Sequence, residues 1–141
     1  MAGDLGYGHK YGNQIIVKVP VDSSTAAISC GDILTLGTAG YYKRASAGDD
    51  VHGVSQQNLA AFTGSDGDYS ILMDVSETSV YRYPVGTGTL TVAMRGKTCD
   101  IAGAQSIDVT ASADDQVVIV ECDTANNIAL VTFRPLRAGV V

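Results

Sequence analysis

The sequence predicts an all-β protein, a single small β-barrel or sandwich of about ten short strands with little helix. Three observations lead to this prediction. Apolar and polar residues alternate in many short segments, turn-forming residues separate these segments, and no long window repeats at the helical period. The chain has 141 residues, of which 45% are hydrophobic, and this is enough to bury one core.

The composition of residues 1–14 predicts a flexible, extended N-terminal arm, and a β-barrel domain is expected over residues 15–141. Four glycines raise the entropic cost of ordering this arm. Tyr7, His9 and Tyr11 are spaced as in a strand, so their side chains share one side. We expect the arm to order by adding a strand to a partner's sheet edge, with these three residues in contact.

The strands of the domain follow in order. In "IIVKVPV", Ile15, Val17 and Val19 share one face, and Pro20 ends this strand or places it on an edge because proline lacks an amide hydrogen. The clearest alternation is in "TLTVAMR", which predicts a strand over residues 89–95 with Leu90, Val92 and Met94 inward. Further strands are expected within residues 32–36, 41–44, 51–55, 69–75, 79–83 and 106–110.

The last two predicted strands, residues 117–122 and 128–133, are apolar on both faces. Such strands need cover on both sides. A central position in a barrel provides part of this cover, and a subunit interface would provide the rest. We therefore expect four of their side chains in the core or at a subunit interface: Val118, Val120, Val131 and Phe133.

Composition argues against several classes of protein. The formal net charge is -6 and the basic residues are scattered, which argues against a nucleic-acid partner. The chain opens without an apolar signal segment and has no apolar run near the ~20 residues that span a membrane. Three cysteines without a CxxC motif predict reduced, mostly buried thiols, no disulfide framework, no zinc site and synthesis in a reducing cytoplasm.

The stretch "SAGDDVHGVS" brings Asp49 and Asp50 close to His52, one of two histidines in the chain. A metal site would need a third ligand, for which Asp32 is available. Gly-Asp is also what a turn favours, so the turn interpretation accounts for every residue except His52. No motif for a nucleophile, a phosphate cradle or a complete calcium loop occurs. We expect no enzyme activity, no catalytic or metal-binding residues, and no cofactor.

The segment of residues 30–57, "CGDILTLGTAGYYKRASAGDDVHGVSQQ", resembles small phage capsid decoration proteins, also called cement proteins. The matching residues are Gly31-Asp32, Gly40, Gly48-Asp49, and Val51, Gly53 and Val54. The resemblance implies a small β-barrel, often a homotrimer, that sits on the outer capsid surface of the virion. Its partners would be the major capsid protein and itself, with no nucleic acid and no membrane.

Two other classes remain open from the sequence. A phage tail-tube or head-completion protein is built on similar β domains, and would form rings with a long hairpin lining a channel. A carbohydrate-binding β module would stack sugars on exposed tyrosines, for which Tyr41, Tyr42, Tyr81 and Tyr83 are the candidates. Such sites usually favour tryptophan, and this chain has none.

Overall fold

The computed structural model describes residues 8–37 and 39–135, and confirms the predicted all-β class with little helix. The expected arm residue Tyr7 lies outside the described residues. The elements in chain order are β1 (Gly8–Tyr11), β2 (Ile16–Pro20), β3 (Ile33–Leu36), β4 (Tyr42–Arg44), β5 (Gly53–Ser55), β6 (Ser70–Asp74), β7 (Val80–Thr87), a 3₁₀ helix (Val92–Met94), β8 (Thr98–Gly103), β9 (Ser106–Asp108), β10 (Val117–Asp123) and β11 (Ile128–Phe133).

The strands form two sheets in a sandwich-like arrangement. The six-stranded sheet has the order β1-β7-β11-β10-β8-β9, and an additional parallel pairing of β7 with β9 joins five of these strands into a closed ring. β7 is long enough to pair with β1 and β11 through its first half and with β9 through its second.

The five-stranded sheet has the order β2-β6-β5-β3-β4. An isolated bridge joins Val21 to Tyr42, so the chain leaving β2 covers the edge of β4. The two sheets are connected directly, because the Ile33 amide donates to the Ala104 carbonyl oxygen at 2.7 Å.

Two hydrophobic clusters pack against this framework. The larger cluster combines the inward residues of the six-stranded sheet with Ile33, Ala45, Val51 and Val54. The smaller cluster contains Leu34 and other apolar residues of the five-stranded sheet and its loops. Successive residues of β3 therefore belong to different clusters, so this short strand is buried on both faces.

Within the chain, the last two strands are buried on one face only, and the subunit interface expected to cover the rest stays a prediction. Val131 and Phe133 are in the larger cluster, whereas Val118 and Val120 on β10 are only partly buried. The reason is topological: within residues 8–37 and 39–135, the second sheet covers β3 and not the outer face of β10 and β11.

The strand predicted over residues 89–95 is wrong. This segment contains the 3₁₀ helix Val92–Met94, and Val92 is 56% exposed. Leu90 does point inward, and its amide donates to Asn127 Oδ1 at 2.8 Å. Alternation alone could not reveal that the neighbouring strands β7 and β8 already have ladder partners on both sides, which leaves this segment no strand to pair with.

Candidate interaction site

Three turns share the sequence pattern Ser-x-Gly-Asp, at residues 29–32, 46–49 and 65–68. In each, the Asp amide donates to the Ser carbonyl oxygen, and the Ser amide donates to Asp Oδ2 at 2.8 Å. The glycine has a φ of 92°, 76° and 82° respectively, in the left-handed region where glycine is favoured. The sequence alone shows the repeated pattern, of which the Gly-Asp part predicts a turn.

The stretch around His52 is confirmed as a turn leading into a strand. Asp49 is the last residue of the second turn, and Asp50 is exposed beside it. His52 is buried, with 8% of its surface exposed. The three side chains therefore lie in different environments and do not converge on one point.

His52 has a structural role in the five-stranded sheet. Its Nδ1 accepts a hydrogen bond from the Leu36 amide at 3.1 Å, and its ring packs edge-on against Tyr42. Burial lowers the pKa of His52, partly offset by the Asp50 carboxylate. The imidazole is thus held neutral as a hydrogen-bond acceptor within the five-stranded sheet.

The two Asp-Asp pairs of the sequence lie near each other at one corner of the fold. The pKa of Asp114 is raised by partial desolvation and then by the carboxylates of Asp50 and Asp100. Asp100 itself accepts hydrogen bonds from the amides of residues 113, 114 and 115. The Asp100 carboxylate therefore holds the backbone of residues 113–115 in place. Within residues 8–37 and 39–135, no group of three or more His, Cys, Asp or Glu side chains is arranged to hold a metal ion.

The tyrosines considered for sugar stacking are mostly inaccessible, which removes the basis of that interpretation. Tyr81 and Tyr83 are 2% and 0% exposed, Tyr42 is 8% exposed, and Tyr41 is partly buried. Burial is the main cause that raises the pKa of Tyr81 and of Tyr83. These phenols are therefore hydrogen-bond donors of the core.

The cysteines also differ from expectation. Cys99 is buried, and burial raises the pKa of its thiol to about 12. Cys122 is partly buried, while Cys30 is exposed, so the expectation of mostly buried thiols is wrong for Cys30. All three are free thiols in the structure.

We name residues 8–20 the N-terminal strap, because this segment joins the edges of both sheets. It provides β1 at the end of the six-stranded sheet and β2 at the end of the five-stranded sheet. β1 pairs with β7 of its own chain, so this part of the expected arm belongs to the fold. A register shift separates His9 from Tyr11. His9 packs edge-on against Tyr81 at 5.5 Å, whereas Tyr11 is 52% exposed.

Polar contacts hold the N-terminal strap against the body. The Ile15 amide donates to Asp74 Oδ1 at 3.0 Å, and Tyr81 donates its hydroxyl hydrogen to Asp74 Oδ2 at 2.5 Å. Gln56 Nε2 donates to the Tyr81 hydroxyl oxygen, and Gln14 Nε2 donates to Gln56 Oε1 at 2.7 Å. This network fixes the backbone of the strap from its inner side and leaves its outer side to solvent.

The N-terminal strap carries most of the exposed large apolar side chains of the described residues. Of the six exposed large hydrophobic side chains among the described residues, four lie within residues 11–17: Tyr11, Ile15, Ile16 and Val17, with exposures of 52%, 57%, 43% and 37%. Of the predicted inward face of this strand, only Val19 is buried. In the part of the chain that the structure describes, no strand pairs with the outer edge of β1 or with that of β2 over residues 16–19.

An edge strand presents unpaired N–H and C=O groups, and natural proteins usually protect such an edge with charge or proline. Here Lys18 lies in the middle of β2 and Pro20 at its end, and no charged residue or proline occurs between Tyr11 and Val17. The geometry therefore suits the addition of a partner strand, with apolar side chains at the point of contact.

No protein-family model matches the sequence, and no curated protein matches it. Among the described residues, no helix is long and apolar enough to cross a membrane.

Proposed function

We propose that this chain is a structural virion protein that binds the outer surface of an icosahedral phage head and cements neighbouring major capsid subunits. The observation that carries the proposal is the concentration of exposed apolar side chains on the open edges of the N-terminal strap. The resemblance of residues 30–57 to decoration proteins supports the major capsid protein as the partner. In this role the chain is not an enzyme and uses no cofactor.

The strap would contribute to binding in two ways. Backbone groups on the outer edge of β2 would form hydrogen bonds with a capsid strand, and Ile15, Ile16 and Val17 would lose their exposure to water. Because the polar network already holds the strap in place, little further ordering entropy would be lost on binding.

A phage head would bind many copies of the protein, so the same contact would be repeated around the closed shell. An ordinary interface buries roughly 800 Å² on each partner, and many copies around one closed head would resist its expansion together. Where one copy contacts two capsid subunits, the second contact is effectively intramolecular and raises the avidity. The net charge of -6 would keep the protein away from packaged nucleic acid.

The tail-tube alternative is less well supported. A tube-lining hairpin must project from the domain, whereas the β10–β11 hairpin forms part of the closed ring and buries Val131 and Phe133. The mass of the purified protein separates these classes, because a hexamer or a tube would favour a tail protein.

The proposal is tested by measuring occupancy on purified heads that lack the protein. Ile16→Glu and the double variant Ile15→Glu/Val17→Glu place charge on the strap without removing a buried group. We expect binding at least about tenfold weaker, because a charge at an apolar contact must be desolvated. The matched control is Val92→Glu, which alters an exposed apolar residue on the 3₁₀ helix.

Occupancy of the strap variants equal to that of the control would contradict the proposal. Point substitutions are preferable to deletion of residues 1–14. The deletion would also remove β1 from its pairing with β7 and Gln14 from its bond to Gln56, so a loss of binding would have two explanations. Tyr11→Ala tests the aromatic contact separately.

A further inference from the structure

The hydrogen bonds between β2 and β6 show which backbone groups of the N-terminal strap point outward. The Val75 amide donates to the Ile15 carbonyl oxygen at 2.9 Å, and the Val21 amide donates to the Tyr69 carbonyl oxygen at 2.9 Å. In an antiparallel pair, residues bonded to the neighbouring strand alternate with residues whose backbone groups face the other side. The odd-numbered residues between these two bonds therefore bond toward β6.

The even-numbered residues of β2 face the open edge of the sheet. Ile16 and Lys18 each present an amide hydrogen and a carbonyl oxygen there, whereas Pro20 presents only a carbonyl oxygen because proline has no amide hydrogen. A strand that pairs with this edge can exchange two hydrogen bonds with Ile16 and two with Lys18. The edge therefore suits a short extended segment, and Lys18 is the last complete pairing position before Pro20.

Lys18 brings a positive charge to this pairing position. Its side chain shares a face with Ile16 and points away from the face of Val19, which is buried in the smaller cluster. Lys18 is exposed. In the part of the chain that the structure describes, no carboxylate forms an ion pair with Lys18. Its ammonium group is therefore available to a carboxylate on the strand that pairs with β2.

We infer that Lys18 selects the partner strand of β2, and that this strand carries an aspartate or glutamate opposite Lys18 with apolar residues beside it. The inference rests on the proposed binding of the strap to the head. A cross-strand pair of opposite charges stabilises the pairing, and the exposed Ile16 and Val17 beside it would shield the ion pair from water. The same charge disfavours a second copy of the chain as the partner. Antiparallel pairing of two β2 edges would bring both Lys18 side chains onto one face of the joined sheet.

The charge preference is tested by measuring occupancy on purified heads that lack the protein. Lys18→Glu places like charges opposite each other, so we expect binding at least about tenfold weaker than that of the wild type. Lys18→Arg keeps the charge and should bind more tightly than Lys18→Glu. The matched control is Lys97→Glu, which makes the same change of net charge at an exposed lysine before β8. Equal occupancy of Lys18→Glu and Lys97→Glu would overturn the inference.

The acidic residue of the partner is identified with a carbodiimide, which condenses an amine with a carboxylate in contact with it. Mass spectrometry of decorated heads should find an amide cross-link between Lys18 and an aspartate or glutamate of the major capsid protein. Lys18→Arg lacks the amine and should give no such cross-link. Cross-links from Lys18 only to acidic residues of the same protein would contradict the selection of a head strand by Lys18.

The backbone part is tested with two variants that both remove the charge. Only Lys18→Pro also removes the outward amide hydrogen, which is not bonded to β6, so it should occupy heads about tenfold less than Lys18→Gln. Equal occupancy of the two would overturn strand pairing at this position. Circular dichroism verifies folding. If the proline variant does not fold, hydrogen exchange of the Lys18 amide decides, because it should slow only on the head.

Ile16→Glu separates this inference from the proposed function. If Ile16→Glu lowers occupancy and Lys18→Glu does not, the strap binds the head without selection by Lys18. If neither variant lowers occupancy, the strap does not bind the head.

Discussion

The turns at residues 29–32 and 46–49 have the same sequence pattern and the same two internal hydrogen bonds, yet their aspartates have different surroundings. Asp32 is 1% exposed. Besides its turn, it accepts hydrogen bonds from Arg44 Nε at 3.0 Å and from Gln105 Nε2 at 2.7 Å. Asp49 is partly exposed, and its carboxylate bonds to the Ser46 amide.

The difference shows that local chemistry determines the shape of a turn, while distant residues determine how much the fold depends on it. Gln105 is 73 residues from Asp32 in the chain. Tyr83 also reaches this turn and donates its hydroxyl hydrogen to the Gly31 carbonyl oxygen at 2.5 Å. Both turns therefore contact the six-stranded sheet, the second through the Gly48 amide, which donates to the Ile101 carbonyl oxygen. Only in the first of these two turns does the aspartate side chain itself bond to that part of the fold.

The largest expected difference between the turns is at their aspartates. Asp32→Ala should lower the free energy of unfolding by about 2 kcal/mol, because three partly buried hydrogen bonds lose their buried acceptor. Asp49→Ala should lower it by about 1 kcal/mol or less, since water can solvate the freed Ser46 amide. Urea denaturation of both variants measures the difference, and equal losses would contradict the assignment of Asp32 as the connecting residue.

A smaller and equal effect is expected at the two glycines. Gly31→Ala and Gly48→Ala should each cost about 1–2 kcal/mol, because both residues have positive φ. A Cβ at position 48 meets open space, and one at position 31 meets Gly8 Cα at an ordinary 3.7 Å. Urea denaturation compares the pair, and a much larger loss at position 31 would show that β1 cannot adjust to the added methyl group.

The smallest effect concerns pH and the strand that follows the second turn. The folded-state pKa of His52 lies below its ordinary value, so the unfolded chain binds a proton more readily. Stability is therefore complete above about pH 6.5 and decreases as the pH falls below it. Denaturation at several pH values should show that the free energy of unfolding decreases less steeply with falling pH in His52→Gln than in the wild type. The carboxylates titrate in both proteins, so the difference between them reports on His52. Identical pH profiles would mean that His52 is not held neutral in the fold.

Much of the fold could be predicted because short-range patterns decide it. The strands predicted over residues 69–75 and 79–83 are present as β6 and as the first half of β7. The same reasoning failed for residues 89–95, where the partner strands are already paired elsewhere. Prediction from alternation also could not identify the exposed apolar side chains of the strap, because alternation does not indicate whether another sheet or a loop covers a given face of a strand.

The sequence by itself determined the all-β class, the positions of most strands and the three Ser-x-Gly-Asp turns, since side-chain periodicity and backbone preferences act over a few residues. Only the tertiary structure decided which strands are covered. It buried β3 on both faces, held β1 and β2 at the open edges and turned the backbone groups of Ile16 and Lys18 outward. These features depend on strand order and register, which join residues far apart in the chain.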